Sequence, residues 1–234
     1  MSIAEKLVTV AENVPKVYDA GYANGYADGA ATGGDTEAAY NEGLEAGKSD
    51  FILAWQNKTL TELVVPDGVT ALSEYCFYST KPLNKITLPE GLTTIGRYSF
   101  RGCTVIHWNF PSTLTDIGEH AFATNYTFGY HQELVFPENL KTIGVSAFAY
   151  THIRQEELVF PASVESIGNM AFASALANTN KRIVFKGTPT SIHSAAFNGC
   201  TTPDIYCPWP EGAVAGSPWG CTSATIHYNY TEEV

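Results

Sequence analysis

Residues able to do chemistry are present in this 234-residue chain, but their spacing does not assemble a reaction centre. The six histidines (His107, His120, His131, His152, His193 and His227) show neither an H-x-x-x-H nor an HExxH spacing, so they do not present two ligands on one helical turn. The five cysteines (Cys76, Cys103, Cys200, Cys207 and Cys221) form no C-x-x-C pair. Their odd number and irregular spacing suit neither a disulfide scaffold nor zinc, and point to folding in a reducing cytoplasm. Glu45-Ala46-Gly47-Lys48-Ser49 ends like a phosphate loop, but Glu42 stands where the first glycine is required. No serine lies in a G-x-S-x-G elbow. His131 with Glu133 could serve as an acid–base pair only if further groups converged on them. Asn57, Asn125 and Asn229 begin glycosylation triplets, which matter only on a secretory route. The expectation is a protein that is not an enzyme and carries no cofactor or metal.

A second chemistry is recognition. Three loops, Ala123–His131, Ala149–Arg154 and Ser174–Arg182, concentrate Tyr, Asn, Ser, Thr and His. Rigid aromatics beside adaptable hydrogen-bonding groups are the composition of binding loops. Tyr126, Phe128, Tyr130, His131, Tyr150 and His152 are the candidate ligand-binding residues.

Those loops are positioned by a repeat. Six segments align without gaps: 66–77, 89–100, 111–122, 137–148, 161–172 and 186–197. FPSTLTDIGEHAF (110–122) and FPENLKTIGVSAF (136–148) show the pattern. Counting from the Pro position as zero, position six is Leu72, Ile95, Ile117, Ile143, Ile167 or Ile192. Position ten is small, and position eleven is always Phe. A degenerate copy begins at Pro208 and places Trp219 at position eleven. The starts at 66, 89, 111, 137, 161, 186 and 208 give a mean step of about 24 residues, the period of a leucine-rich solenoid. Such a coil cannot bury its apolar side alone, so neighbours stack and share a core.

Short β-rich runs precede each Pro position (Leu63–Val65, Ile86–Leu88, Leu134–Phe136, Leu158–Phe160, Ile183–Phe185), and Pro, which cannot donate to a ladder, caps them. Gly96, Gly118, Gly144 and Gly168 recur at position seven, the expected sites of positive φ. The Phe side chains should stack through the core. From each Phe to the next Pro position the gaps are 12, 11, 15, 13, 14 and 11 residues, so the inserts fall in three consecutive coils and should meet along one edge. His120 and His193, inside the repeats, are expected to be structural. Trp209 is expected to be a cap aromatic rather than a ligand platform.

TLPEGLTTIGRYSFRGC (87–103) resembles the BspA-like leucine-rich repeat almost position by position, and Cys103 and Cys200 follow their Phe as in that family. The resemblance runs from about Leu60 to Pro208. It implies a solenoid of short parallel strands with a role in adhesion or recognition. At the two ends, AENVPKVYDAGY, YNEGLEAGKSDF and IYCPWPEGAVAGSPWG look like parts of tail-associated proteins from phages and prophages of Gram-positive gut bacteria.

The fold class expected is thus a β-rich leucine-rich-repeat solenoid of about seven coils of 22–26 residues, with an N-terminal α-helical segment. Residues 1–34 would be a helical docking or oligomerisation segment ending in a Gly-rich spacer. Residues 35–57 would be a helix capping or leading into the solenoid, 58–207 the repeats and 208–234 a C-terminal cap. Ile3, Leu7, Val10, Val14 and Val17 follow heptad spacing and are the candidate oligomerisation residues. A homo-oligomer, a trimer by preference, follows from this segment together with the resemblance.

The net charge of −11 argues against nucleic acid, and no apolar run reaches the length of a membrane span. Glu5, Lys6 and Thr9 interrupt the first ten residues, so no signal peptide is read there. The expected setting is a virion made in a bacterial cytoplasm, or alternatively a bacterial cell surface. Host cell-surface protein or glycan and other virion proteins are the expected partners. A surface adhesin or an intracellular interaction scaffold would use the same repeat.

Overall fold

The computed structural model describes residues 62–65, 67–80, 83–105, 107–126, 133–176 and 181–231. The expected N-terminal helices, and with them Ile3, Leu7, Val10, Val14 and Val17, lie outside the described residues. What is described is a parallel β-solenoid. Its longer strands are β1 (Glu62–Val64), β3 (Lys85–Thr87), β7 (Glu157–Phe160), β9 (Arg182–Phe185), β11 (Asp204–Tyr206) and β12 (Thr225–His227). Between them lie two-residue strands at positions five and six: β2 (Ala71–Leu72), β4 (Thr94–Ile95), β5 (Asp116–Ile117), β6 (Thr142–Ile143), β8 (Ser166–Ile167) and β10 (Ser191–Ile192).

The short strands form one unbroken six-stranded ladder in the order β10-β8-β6-β5-β4-β2. Each pairs in the register of the repeat, Ile95 with Ile117 and Ile117 with Ile143. The longer strands are interrupted: β1 pairs β3, and β7, β9, β11 and β12 form a separate sheet. This corrects the expectation that Leu134–Phe136 forms a strand. In its place a side chain bridges the coils. The Gln155 amide accepts from Leu134 N–H at 2.6 Å and donates to the Leu134 and Glu157 carbonyls at 3.0 and 2.8 Å. Asn109 does the same for Leu88, accepting at 3.2 Å and donating at 3.3 Å. The Leu134 and Leu88 backbone groups stay satisfied, but the amide holds neighbouring chains apart where a ladder would join them.

The core is two interlocked aromatic stacks. Phe77, Phe100, Phe122, Phe148, Phe172 and Phe197 stack with ring centroids 5.2–5.5 Å apart. Phe136, Phe160 and Phe185 form the second stack, meeting the first edge-on, as Phe160 meets Phe172 at 5.4 Å and 81°. Both arrangements suit the ring quadrupole. Trp108 lies edge-on between Phe100 and Phe122 at 5.2 and 4.6 Å. Trp219 is fully buried near Phe185 and Trp209, closing the stack, and Trp209 itself is only 2% exposed, which makes it a cap residue.

The position-seven glycines are required for a different reason from the one expected. None has a positive φ. A Cβ on Gly144 would lie 2.7 Å from the Gly118 carbonyl carbon and the Glu119 nitrogen, and one on Gly168 equally close to Gly144 and Val145. Close approach of successive coils is the constraint. Positive φ falls instead on non-glycine residues at position nine (Tyr75, Tyr98, His120, Ser146, Met170) and position thirteen (Ser79, Thr124, Tyr150, Ser174). Their N–H groups donate along the solenoid axis to the next coil, as Tyr98 does to the Glu119 carbonyl and Tyr150 to that of Ala173, each at 2.8 Å. All nine of these residues make an inter-coil bond of this kind, which offsets the cost of the left-handed conformation.

Candidate functional site

The insert edge begins where the position-thirteen turn ends. In coil three, Thr124 donates to the Ala149 carbonyl and Asn125 is fully buried, so Tyr126 projects outward and is 54% exposed. One coil on, Thr151 is buried and its hydroxyl donates to the Phe148 carbonyl at 2.6 Å. Ile153 is buried too, its N–H bonded to the Ala175 carbonyl. His152 between them is half-buried at the surface. The alternation of buried and outward residues brings Tyr126 and His152 together, their rings 5.4 Å apart and tilted by 55°. Tyr150, held with φ of 58°, is 52% exposed on the same coil as His152.

Consecutive inserts therefore do meet for Tyr126 and His152. Phe128, Tyr130 and His131 lie outside the described residues. The Asn125 side chain, buried, is no acceptor for a glycan. From the third insert, the Lys181 ammonium donates to the Arg154 and Gln155 carbonyls at 2.5 and 2.6 Å. Burial pushes the Lys181 pKa down, with Glu156 opposing.

A second aromatic column was not anticipated. Tyr75, Tyr98 and His120 at position nine stack face to face at 4.7 and 4.6 Å. Arg97 lies 4.9 Å and Arg101 5.4 Å from the Tyr98 ring. Burial and then Arg101 lower the His120 pKa, and Glu119 opposes them from 3.7 Å. The structural role expected for His120 is thus a specific one, a rung of this stack. Recurrence of a ring at position nine was the signal available in the sequence. At the other end Tyr206 stacks on His227 at 4.4 Å, and Arg182 covers Tyr206 at 4.2 Å while donating to the Tyr230 hydroxyl. These columns occupy their own faces and hold the coils together. Burial raises Cys76, Cys207 and Cys221 to about 12, so these thiols are poor nucleophiles near neutrality. Among the described residues no group of His, Cys, Asp and Glu is placed to hold a metal.

No curated protein matches the chain. Among solved structures, the leucine-rich repeat protein TpLRR of T. pallidum is 24% identical with a TM-score of 0.51, covering 63% of this chain and 74% of that one. The pneumococcal vaccine antigen PcpA is 23% identical with a TM-score of 0.56, covering 73% of this chain and 42% of that one. At these identities the likeness is one of fold. The BspA type leucine-rich repeat region matches residues 53–178 in six copies. With the period, the Phe stack and the parallel ladder already in place, that match settles the family: the chain belongs to the BspA type leucine-rich repeat proteins.

Proposed function

We propose that this chain is a non-enzymatic receptor-binding component of a phage or prophage virion, a tail or fibre protein whose solenoid displays the insert edge to a cell-surface protein or glycan. Leucine-rich-repeat solenoids are in general binding scaffolds, and recognition is the role this family supports. The observation that carries the reading is the Tyr126–His152 pair, two rings from consecutive coils beside exposed Tyr150, each anchored by buried neighbours. An edge of this kind is preorganised, which lowers the ordering cost of binding. The tail context rests on the end segments that resemble phage tail-associated proteins. In this reading the N-terminal segment docks to other virion proteins and, through Ile3, Leu7, Val10, Val14 and Val17, makes a homotrimer.

The test is binding of the purified chain to candidate host cells, compared with the Tyr126→Ala, Tyr150→Ala, His152→Ala triple variant. The variant should keep its unfolding midpoint and lose cell binding by at least about tenfold. Unchanged binding would place the site elsewhere. Light scattering of the full chain and of a variant with Leu7, Val10 and Val14 replaced by Ser tests the assembly. Both species measuring as monomers would end the trimer reading.

A further inference from the structure

On the opposite side from the tight turns, the outward side chains of the longer strands and their equivalents run in two rows along the solenoid. One row is charged: Glu62, Lys85, His107, Glu133, Glu157, Arg182 and Asp204 succeed each other at equivalent positions. Its charges largely compensate between coils, Glu62 with Lys85 at 3.8 Å and Glu157 with Arg182 at 3.3 Å. The other row is apolar in the middle: Val135 is 70% exposed, Val159 half-buried, and Val184 already covered. The interruption of the ladder falls here. Where Gln155 replaces strand pairing, coils four to six leave a cleft of about 580 Å³.

The cleft is lined by Val135 and Val159 together with Glu133, Glu138, Glu156 and Glu157, and Lys186 is the one cation among its described lining residues. Glu133, Glu138 and Glu156 have no ion-pair partner among the described residues within 4.0 Å, in contrast to the compensated charges of the same face. The most exposed large hydrophobic side chain of the described residues, Val135, thus lies beside glutamates that make no close ion pair, Glu156 acting on Lys181 only at longer range. Exposed apolar surface beside charge that is mostly of one sign marks an interaction site, and the prevailing sign selects the partner.

We propose that this cleft docks an extended peptide segment of a partner protein in which Lys or Arg alternates with apolar residues. In an extended chain alternate side chains point to opposite sides. A partner segment lying across the coils would set apolar side chains on Val135 and Val159 and leave its cations to the glutamates. The residues lining the cleft include none of Tyr126, Tyr150 and His152, and the proposal does not depend on the insert edge.

A fluorescently labelled octapeptide of alternating Lys and Val, followed by anisotropy against the full chain at about 0.15 M salt, tests the proposal. Three comparisons decide it. Glu133→Gln, Glu138→Gln, Glu156→Gln combined should weaken binding at least about tenfold, and a distant set, Glu74→Gln, Glu165→Gln, Glu211→Gln, should change it by less than about threefold. An octapeptide of alternating Lys and Ser should bind at least about tenfold more weakly than the Lys–Val peptide, and Val135→Ser should narrow that gap. Equal losses from both glutamine sets would show attraction to net charge alone and overturn the site. Equal binding of the two peptides would overturn the apolar half of the argument, and failure of the Lys–Val peptide to bind would overturn the whole. All the substituted side chains are exposed or lie at the surface, and circular dichroism melting confirms that each variant folds.

Discussion

At the scale of single residues, two columns of the repeat obey opposite rules about glycine. In the inner coils position seven leaves no room for a side chain because the preceding coil's backbone is there, and only the outer copies carry Ser73 and His193, whereas position nine tolerates one despite its positive φ. Gly144→Ala should therefore destabilise by about 1–3 kcal/mol through overpacking. Met170→Gly, which relieves a left-handed residue at an exposed site, should be neutral or stabilising by less than about 1 kcal/mol. Urea unfolding measures both, and a loss of the same size in the two variants would contradict the assignment. The sequence made the position-seven column visible but not its cause, since close approach and positive φ both select glycine. His120 carries a pH dependence. Its folded pKa lies below the ordinary value near 6.5, so the unfolded chain binds the proton more readily. The stability from neutral His120 is present above that value, and it is lost as the pH falls through it towards the lower folded pKa. His120→Tyr, which continues the Tyr75–Tyr98 stack, should lose less stability than the parent between pH 7.5 and pH 5. Parallel pH curves for the two proteins would show that His120 does not titrate this way.

At the scale of elements, the Phe stack was legible because Phe recurs at position eleven, whereas the aliphatic residue at position six announced a repeat position and not the two-residue strand it occupies. The breaks in the longer ladder were not legible either. Leu134–Phe136 has the composition of a strand, and what prevents pairing is an amide from Gln155, 21 residues later, which no local pattern announces. The same holds for the candidate site. Tyr126 and His152 could be anticipated from unequal gaps, since stacking coils bring inserts together. The position-nine stack was harder to see because the ring recurs only in the first three coils, Tyr75, Tyr98 and His120, before Ser146 and Met170 replace it. The amide bridge gives an element-level prediction. Gln155→Ala leaves the Leu134 N–H and carbonyl without their partner and should cost about 1–3 kcal/mol in chemical unfolding. Gln155→Glu keeps the acceptor but sets a carboxylate oxygen against the Leu134 and Glu157 carbonyls, so it should cost at least as much as Gln155→Ala. A Gln155→Ala variant as stable as the parent would mean that water replaces the bridge at no cost.

At the scale of the whole molecule, the interchangeable rungs of the Phe stack make length itself a variable. Phe136 precedes Pro137 as Phe160 precedes Pro161, and both rings belong to the second stack. Removing residues 137–160 would splice Phe136 onto Pro161 and re-create a Phe-Pro junction, and Phe122 would then meet Phe172 as it now meets Phe148. The shortened chain should fold with one cooperative transition and a lower denaturation midpoint, as expected when stability sums over coils and their interfaces. Loss of the folded state would show that the coils are not equivalent. Such a molecule is modular in the manner of a gauge: coils can be added or removed as whole repeats, and the distance from its first coil to its closing tryptophans changes by fixed steps without a new interface having to be invented.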